Sequence, residues 1–194
     1  LPEPTIQYAD FAHWQQQWLV GDRMAHQLGY WQEQLYDQPL LLDLPTDRPR
    51  PAVQTSNGDS IKFSLSPALM RKLKALSRSE GVTLFMALLA AYNILLSRYA
   101  RQDDISVGPA VANRTRAEIE GLIGFFVNTL VIRTDLSGRP SFKKLLQRVR
   151  EVTLAAYAHQ DVPFEMLVDA LQPDRNMSHT PLFQAAFSWQ NAPM

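Results

Sequence analysis

Two hydrophobic periods alternate along this chain. Phe11, Trp14 and Trp18 fall on one helical face, and Met24, Leu28, Trp31 and Leu35 make a second. Gly21 and Asp22 break the two apart, so Tyr8 to Leu35 reads as two core-facing helices. Asp43 to Gly58 has four of its sixteen residues as Pro or Gly, which predicts a connection wrapping a surface, with Arg48 and Arg50 solvated or ion-paired. Ile61, Phe63 and Leu65 alternate with Lys62 and Ser64, the pattern of a half-buried strand. Ser66-Pro67 supplies an N-cap and a first-turn proline for a helix to about Ser79, which Gly81 ends. Thr83 caps a helix to about Tyr99 that is apolar almost all round and so packs on more than one side. Asp104 to Ala112 reads as a strand whose Gly108-Pro109 pair forbids ordinary central pairing. It is either an edge strand or one that bulges where another group passes close.

Gly121 to Arg133, G-L-I-G-F-F-V-N-T-L-V-I-R, is the stretch around which the rest is organised. Gly121 and Gly124 permit a sharp turn or a close approach. From Phe126 onward β-branched and aromatic residues predict a buried strand. Asn128 and Thr129 interrupt it with an amide and a hydroxyl that need hydrogen-bond partners. Apolar neighbours cannot supply them, so the expectation is another strand, a ligand or a facing domain.

The polar stretch Asn113 to Glu120 is a loop with room for one helical turn, and Leu136 to Pro140 is a turn. Ser141 caps a helix to about Ala158 with Phe142, Leu145, Leu146, Val149 and Val152 on one face. His159 to Pro163 interrupts it, and Pro163 opens a short helix through Leu171. After a polar loop, Pro181 to Trp189 predicts a last strand with Phe183, Ala185 and Phe187 on one face. Helices alternating with about four strands argue an α/β (α+β) chain: a mixed or parallel sheet covered by helices, and a sheet that looks unfinished.

Charge and composition narrow the function. Nineteen Lys and Arg balance nineteen Asp and Glu over 194 residues, without the basic excess of a nucleic-acid binder. There are no cysteines, which excludes disulfides and thiolate metal sites and agrees with a reducing compartment such as the cytoplasm. His13, His26, His159 and His179 lie in no metal-ligand spacing. The longest apolar stretch, Val82 to Leu96, contains Thr83 and Asn93 and falls short of the roughly 20 residues of a membrane span. No G-x-S-x-G elbow or phosphate-binding glycine loop occurs. His159 beside Asp161 is the best general-base pair, yet a histidine at a helix end also complements the helix dipole. His179, in a polar loop, is expected to be exposed. These residues alone identify no reaction.

Four stretches in order resemble the condensation domains of nonribosomal peptide synthetases. Y-A-D-F-A-H-W (Tyr8, Asp10 and Trp14) is similar to the family's Y-x-D-F-A-x-W. I-G-F-F-V-N-T-L-V-I-R, through Arg133, resembles its I/V-G-x-F-V-N-T motif. H-Q-D-V-P-F-E (His159, Asp161, Pro163 and Glu165) is similar to H-Q-D-x-P-F-E. D-R-N-M-S-H-T-P-L-F-Q more loosely resembles R-D-x-S-R-x-P-L-F-Q: Arg175 and Ser178 fit, and His179 replaces an arginine. Y-W-x-x-x-L from Tyr30 and L-P-T-D-R-P-R-P from Leu44 also fit.

The resemblance implies a chloramphenicol acetyltransferase-like fold of two α/β lobes with a tunnel between them. Carrier proteins would dock at its mouths and present thioesters on phosphopantetheine arms, and no cofactor or metal would be bound directly. The family's H-H-x-x-x-D-G motif is absent, and no two histidines are adjacent. The resemblance therefore covers the C-terminal lobe: residues 1–43 join from an absent N-terminal lobe, 44–58 are a linker, and 59–194 are a lobe truncated at its end. Catalytic residues are expected to lie outside this chain. Gly124, Asn128, Thr129, Gly108 and Pro109 are implied at the tunnel or lobe interface. Pro109 departs from the small polar residue of many relatives. Partners implied are carrier proteins, the adjacent adenylation domain and the missing lobe, with no nucleic acid and no membrane.

Overall fold

The computed structural model describes residues 4–55, 57–173 and 176–190. The predicted Arg175 therefore lies outside the described residues. The helices form where the sequence signals start them. They are α1 (Tyr8–Trp18), α2 (Gly21–Gln34), α3 (Pro67–Ser79), α4 (Leu84–Ala100), α5 (Ala117–Glu120), α6 (Phe142–Ala158) and α7 (Phe164–Leu171). Ser66, Thr83 and Ser141 each accept a hydrogen bond from the backbone N–H three residues on, which satisfies one orphan donor of α3, α4 and α6.

The strands are shorter than the alternation predicts. β1 (Asp104–Gly108) and β2 (Ala110–Val111) split the expected Asp104–Ala112 strand at Pro109, which has no N–H to give a ladder. β3 (Asn128–Thr129) and β4 (Ile132–Asp135) likewise divide the second half of the Gly121–Arg133 stretch, and β5 is Ala185–Ala186. β1 is central, not an edge: it pairs antiparallel with β4, Asp104 opposite Asp135, and parallel with β5, Val107 opposite Ala185. β2 and β3 form a separate antiparallel pair. The sheet is therefore mixed, as expected.

One core joins α4, α6 and this sheet. Leu89, Ile105, Ile132, Leu145, Leu146 and Val149 are all at most 2% exposed. Asn93 on α4 donates to Thr134 on β4 at 3.0 Å inside it. Trp31 of α2 is buried against the same core, but α1 buries no residue, which corrects the expectation of two core-facing helices. Phe11 of α1 instead packs on a satellite cluster of Ile119, Leu122 and Phe126. Arg133 ties α2 to the sheet. Its guanidinium bridges both carboxylate oxygens of Asp104 and donates to the carbonyls of Gln34 and Tyr36. Those backbone partners satisfy the end of α2, which has no cationic residue of its own in its last turn.

Ile61 to Leu65 is not a strand. Ile61 and Phe63 are 90% and 83% exposed, and no described residue pairs with their backbone, because a period-2 pattern forms a strand only where an edge is available. Pro181–Trp189 pairs only at Ala185–Ala186. No single helix among the described residues is long and apolar enough to cross a membrane.

Candidate functional site at the end of the central strand

The end of β1 gathers the segments that the sequence motifs mark. In an open α/β sheet the crevice beyond the carboxyl ends of the strands is where ligands bind. Here Pro109 turns the chain out of the main sheet, and β2 and β3 extend past that edge. The end of α6 and the start of α7 lie against them. Asn128 makes the junction. Its amide nitrogen donates to the carbonyls of Gln160 and Val162, both at 2.8 Å. Its amide oxygen accepts from the backbone N–H of Thr129 at 2.9 Å and of Phe164 at 3.1 Å. Phe164 is the first residue of α7, whose own N-cap, Pro163, offers no side-chain acceptor. Asn128 thus caps α7 from 36 residues away in sequence. The partners that the Asn128 amide was expected to find in another strand, a ligand or a facing domain are supplied by this chain itself.

The two glycines are explained in the same way. A Cβ on Gly108 would lie 2.3 Å from the Phe183 ring, and one on Gly124 would lie 2.3 Å from the ring of Tyr8. What passes close to each is an aromatic ring of the same chain. Tyr8 also donates its hydroxyl to the Phe125 carbonyl at 2.9 Å, so α1 is held on the extended segment before β3. In that segment Leu122 and Phe126 turn inward with Asn128, while Ile123, Phe125 and Val127 turn out and are 96%, 77% and 49% exposed. The expected buried strand from Phe126 is instead a segment with one packed face and one bare apolar face. Pro109 is held by its carbonyl, which accepts from Leu130 at 3.0 Å.

His159 is braced. Its Nδ1 lies 2.8 Å from the Ala155 carbonyl, so that nitrogen carries the proton. Tyr30 stacks on its ring at 4.0 Å with planes 8° apart, and His26 lies 5.3 Å off. Trp31 donates to the His159 carbonyl at 2.9 Å. Burial pushes the Tyr30 hydroxyl up to about 12, so it stays protonated. Asp161 is half-buried. Desolvation raises its carboxyl above the usual range, opposed by the charges of Arg116, Arg23 and His159. No hydrogen bond joins His159 to Asp161; Asp161 accepts a long one from Gln27 at 3.4 Å.

Three adjoining cavities surround the junction. One of about 220 Å³ lies between α1 and α7 and is lined by Tyr8, Phe126, Asn128, Thr129, Asp161 and Glu165. A second, of about 230 Å³, includes Trp14, Trp18, Arg116 and Asp161. A third, of about 400 Å³, includes Phe85, Arg114, Tyr157, Gln160 and Trp189. All three share Asn113, which has φ +52°. Asn tolerates the left-handed region better than other side chains, and an Asn directly after a strand is the signal that marks this turn in the sequence. Arg114 spans the same loop, its guanidinium over the Phe126 ring at 4.1 Å and bonded to the carbonyls of Ile119 and Glu120. Arg116 lies over Trp14 at 4.3 Å, beside the Trp14–Trp18 stack. Asp10 closes a capping box with Gln7 at the start of α1.

Of the residues expected at a shared site, Asn128 and Thr129 line the groove. Gly124 shapes it through the Tyr8 ring that it admits, whereas Gly108, Pro109 and the Phe183 ring beside Gly108 are not in its lining. Asn113 and Gln15 line it too and belong to no motif, while Gln160, the glutamine of H-Q-D-V-P-F-E, lines the two adjoining cavities. His179 is half-buried beside a separate cavity of about 140 Å³ that Gln38 and Leu182 also line, rather than exposed. Among the described residues no group of three or more His, Asp or Glu is placed to hold a metal.

The condensation-domain family model matches residues 1–194. This chain belongs to the condensation-domain family. It is 58% identical over 194 residues to a linear gramicidin synthase polypeptide of Brevibacillus parabrevis, covering 100% of this chain and 4% of that protein. It is 54% identical over 186 residues to malpinin synthetase of Mortierella alpina, covering 96% of this chain and 2% of that protein. The chain thus spans a few hundredths of the length of the curated relatives it matches. Among solved structures, the X-domain from teicoplanin biosynthesis matches with a TM-score of 0.85 at 30% identity, over 96% of this chain and 42% of that one. A four-domain nonribosomal peptide synthetase bound to AMP and glycine matches with a TM-score of 0.87 at 30% identity, over 91% of this chain and 14% of that one. The fold is that of the condensation domains.

Proposed function

We propose that this chain is the C-terminal lobe of a condensation domain that joins carrier-bound thioesters through an amide bond in nonribosomal peptide synthesis. The observation that carries this reading is the bare apolar strip of Ile123, Phe125 and Val127 on the F-V-N-T motif, beside a groove lined by Asn113, Asn128 and Thr129. An apolar strip on the outer face of a motif segment is a surface made to be covered. A facing lobe would cover it and convert the open groove into a tunnel wall. The chain contributes walls and bracing, while the reacting histidine comes from the H-H-x-x-x-D-G motif that this sequence does not contain. Substrates arrive on phosphopantetheine arms of carrier proteins, with an adenylation domain as neighbour, and no cofactor is bound directly.

The test uses a donor thioester on one carrier and an aminoacyl thioester on another, with the product read by mass spectrometry. The complete two-lobe polypeptide is expected to form amide and this chain alone none. Amide formed by this chain alone would overturn the lobe assignment. A second reading, a docking lobe without chemistry, is supported by the similarity to an X-domain whose structure was solved in complex with OxyB, at a TM-score of 0.88 and 29% identity. In that case the complete polypeptide binds a partner domain and forms no amide.

A further inference from the structure

A second cavity lies at the other end of the sheet, where α4 ends, β1 begins and α6 starts. Its volume is about 770 Å³, within the range of small-molecule sites. α6 runs from this cavity toward the groove, and its 17 residues separate the two by about 25 Å. Ile94, Leu136, Pro140, Phe142 and Leu145 line it with apolar surface, and Arg98, Arg101 and Arg139 line it with charge. Among the described residues none of these three guanidiniums forms an ion pair or hydrogen bond, whereas Arg133, Arg148 and Lys143 nearby are all paired. Asp103 is the one acidic residue in the lining, and it takes a hydroxyl from Ser97. The chain as a whole is neutral, so this is a local excess of positive charge.

Arg101 and Arg139 sit at φ +54° and +50°, in the left-handed region where a long side chain carries a conformational cost and Gly or Asn is usual. Arg101 is the left-handed C-cap that ends α4, and Arg139 follows Gly138 in the turn before α6, so these two turns bring unpaired cations to one cavity. Guanidinium forks match phosphoryl oxygens in pairs. The apolar wall asks for an organic body on the anion.

From this we infer that the cavity binds an organic phosphate: one or two phosphoryl groups on the three arginines, with the carbon skeleton along Ile94, Leu136 and Phe142. This is independent of the role proposed for the groove. The 194-residue chain is titrated at low salt with inorganic phosphate, ATP and pantetheine 4′-phosphate in separate arms of a calorimetric experiment. Saturable binding of at least one organic phosphate is expected, about tenfold tighter than inorganic phosphate. Arg98→Ala and Arg139→Ala should each weaken it by about tenfold, and 0.5 M salt should weaken it as well. Arg78→Ala, on α3, leaves it unchanged. The ATP and pantetheine arms tell a nucleotide from a carrier-type arm. Both arginines are exposed, so far-ultraviolet circular dichroism unchanged by either substitution secures the comparison. Binding of inorganic phosphate alone, an adventitious ion only, would overturn the inference. So would organic-phosphate binding indifferent to both substitutions, or no saturable binding in any of the three arms.

Discussion

Asn128 makes four hydrogen bonds with one side chain, each to a different backbone group, and together they hold the break between α6 and α7. Truncation to alanine leaves those groups without partners at a site where the side chain is 8% exposed. Each unsatisfied buried group costs about 1–3 kcal/mol, so Asn128→Ala should lower the midpoint of chemical denaturation markedly. A midpoint unchanged from the parent would remove the capping role. Asn128→Asp sharpens the test, because it keeps the acceptor and points a carboxylate at two carbonyls. The folded state then raises that carboxyl's pKa, so stability falls as pH rises through the folded pKa and the deficit shrinks in acid.

The natural carboxyl at Asp161 obeys the same sign. Burial raises it, so the folded chain holds its proton more tightly than the unfolded chain does, and stability declines as pH climbs from the ordinary carboxylate range through the raised value. Asp161→Asn should therefore melt higher than the parent at pH 7, with the gap closing below about pH 4. A variant less stable than the parent at pH 7 would show that Arg116 and Arg23 outweigh desolvation.

At the scale of elements, two close approaches fix how segments dock. Gly108 admits the Phe183 ring, which sets β5 beside β1, and Gly124 admits the Tyr8 ring, which sets α1 on the segment before β3. Alanine at either forces an overlap that a planar ring cannot relieve by rotating a flexible end, at a cost of about 1–3 kcal/mol. The two should differ in reach. Gly108→Ala disturbs the central strand and should lower global stability. Gly124→Ala should release α1, which buries no residue, and show first as faster amide exchange over residues 8–18. Global unfolding of the Gly124 variant without selective loss at α1 would contradict that division. The capped helices are less sensitive: Ser141→Ala should cost about 1 kcal/mol, the usual loss of a serine cap.

At the scale of the whole molecule, stability is unevenly spread. The α4–α6–sheet core is closed, while residues 57–65 form neither helix nor strand, with Ile61 and Phe63 bare. Limited proteolysis should cut in 57–65 before any helix, leaving a product that still melts cooperatively. The groove and the arginine-lined cavity sit at opposite ends of β1 and α6, so substitutions at one should leave the other's binding unchanged.

The helices, their caps and the order of the family motifs were legible in the sequence, because each rests on residues within one or two turns of each other. Ser66, Thr83 and Ser141 cap the helices that their positions announce. The presence of a polar notch at Asn128, and of close approaches at Gly108 and Gly124, was legible too. Only the tertiary structure decided what meets them. Gln160 and Phe164 are more than thirty residues from Asn128, Phe183 is seventy-five from Gly108, and Tyr8 is 117 from the carbonyl it holds. Local pattern records that a donor, an acceptor or a gap exists. Which group fills it depends on long-range contacts, and so does the splitting of Asp104–Ala112 between two sheets. Three arginines around one cavity belong to the same class: their charges are in the sequence, but only folding brings Arg139 beside Arg98 and Arg101.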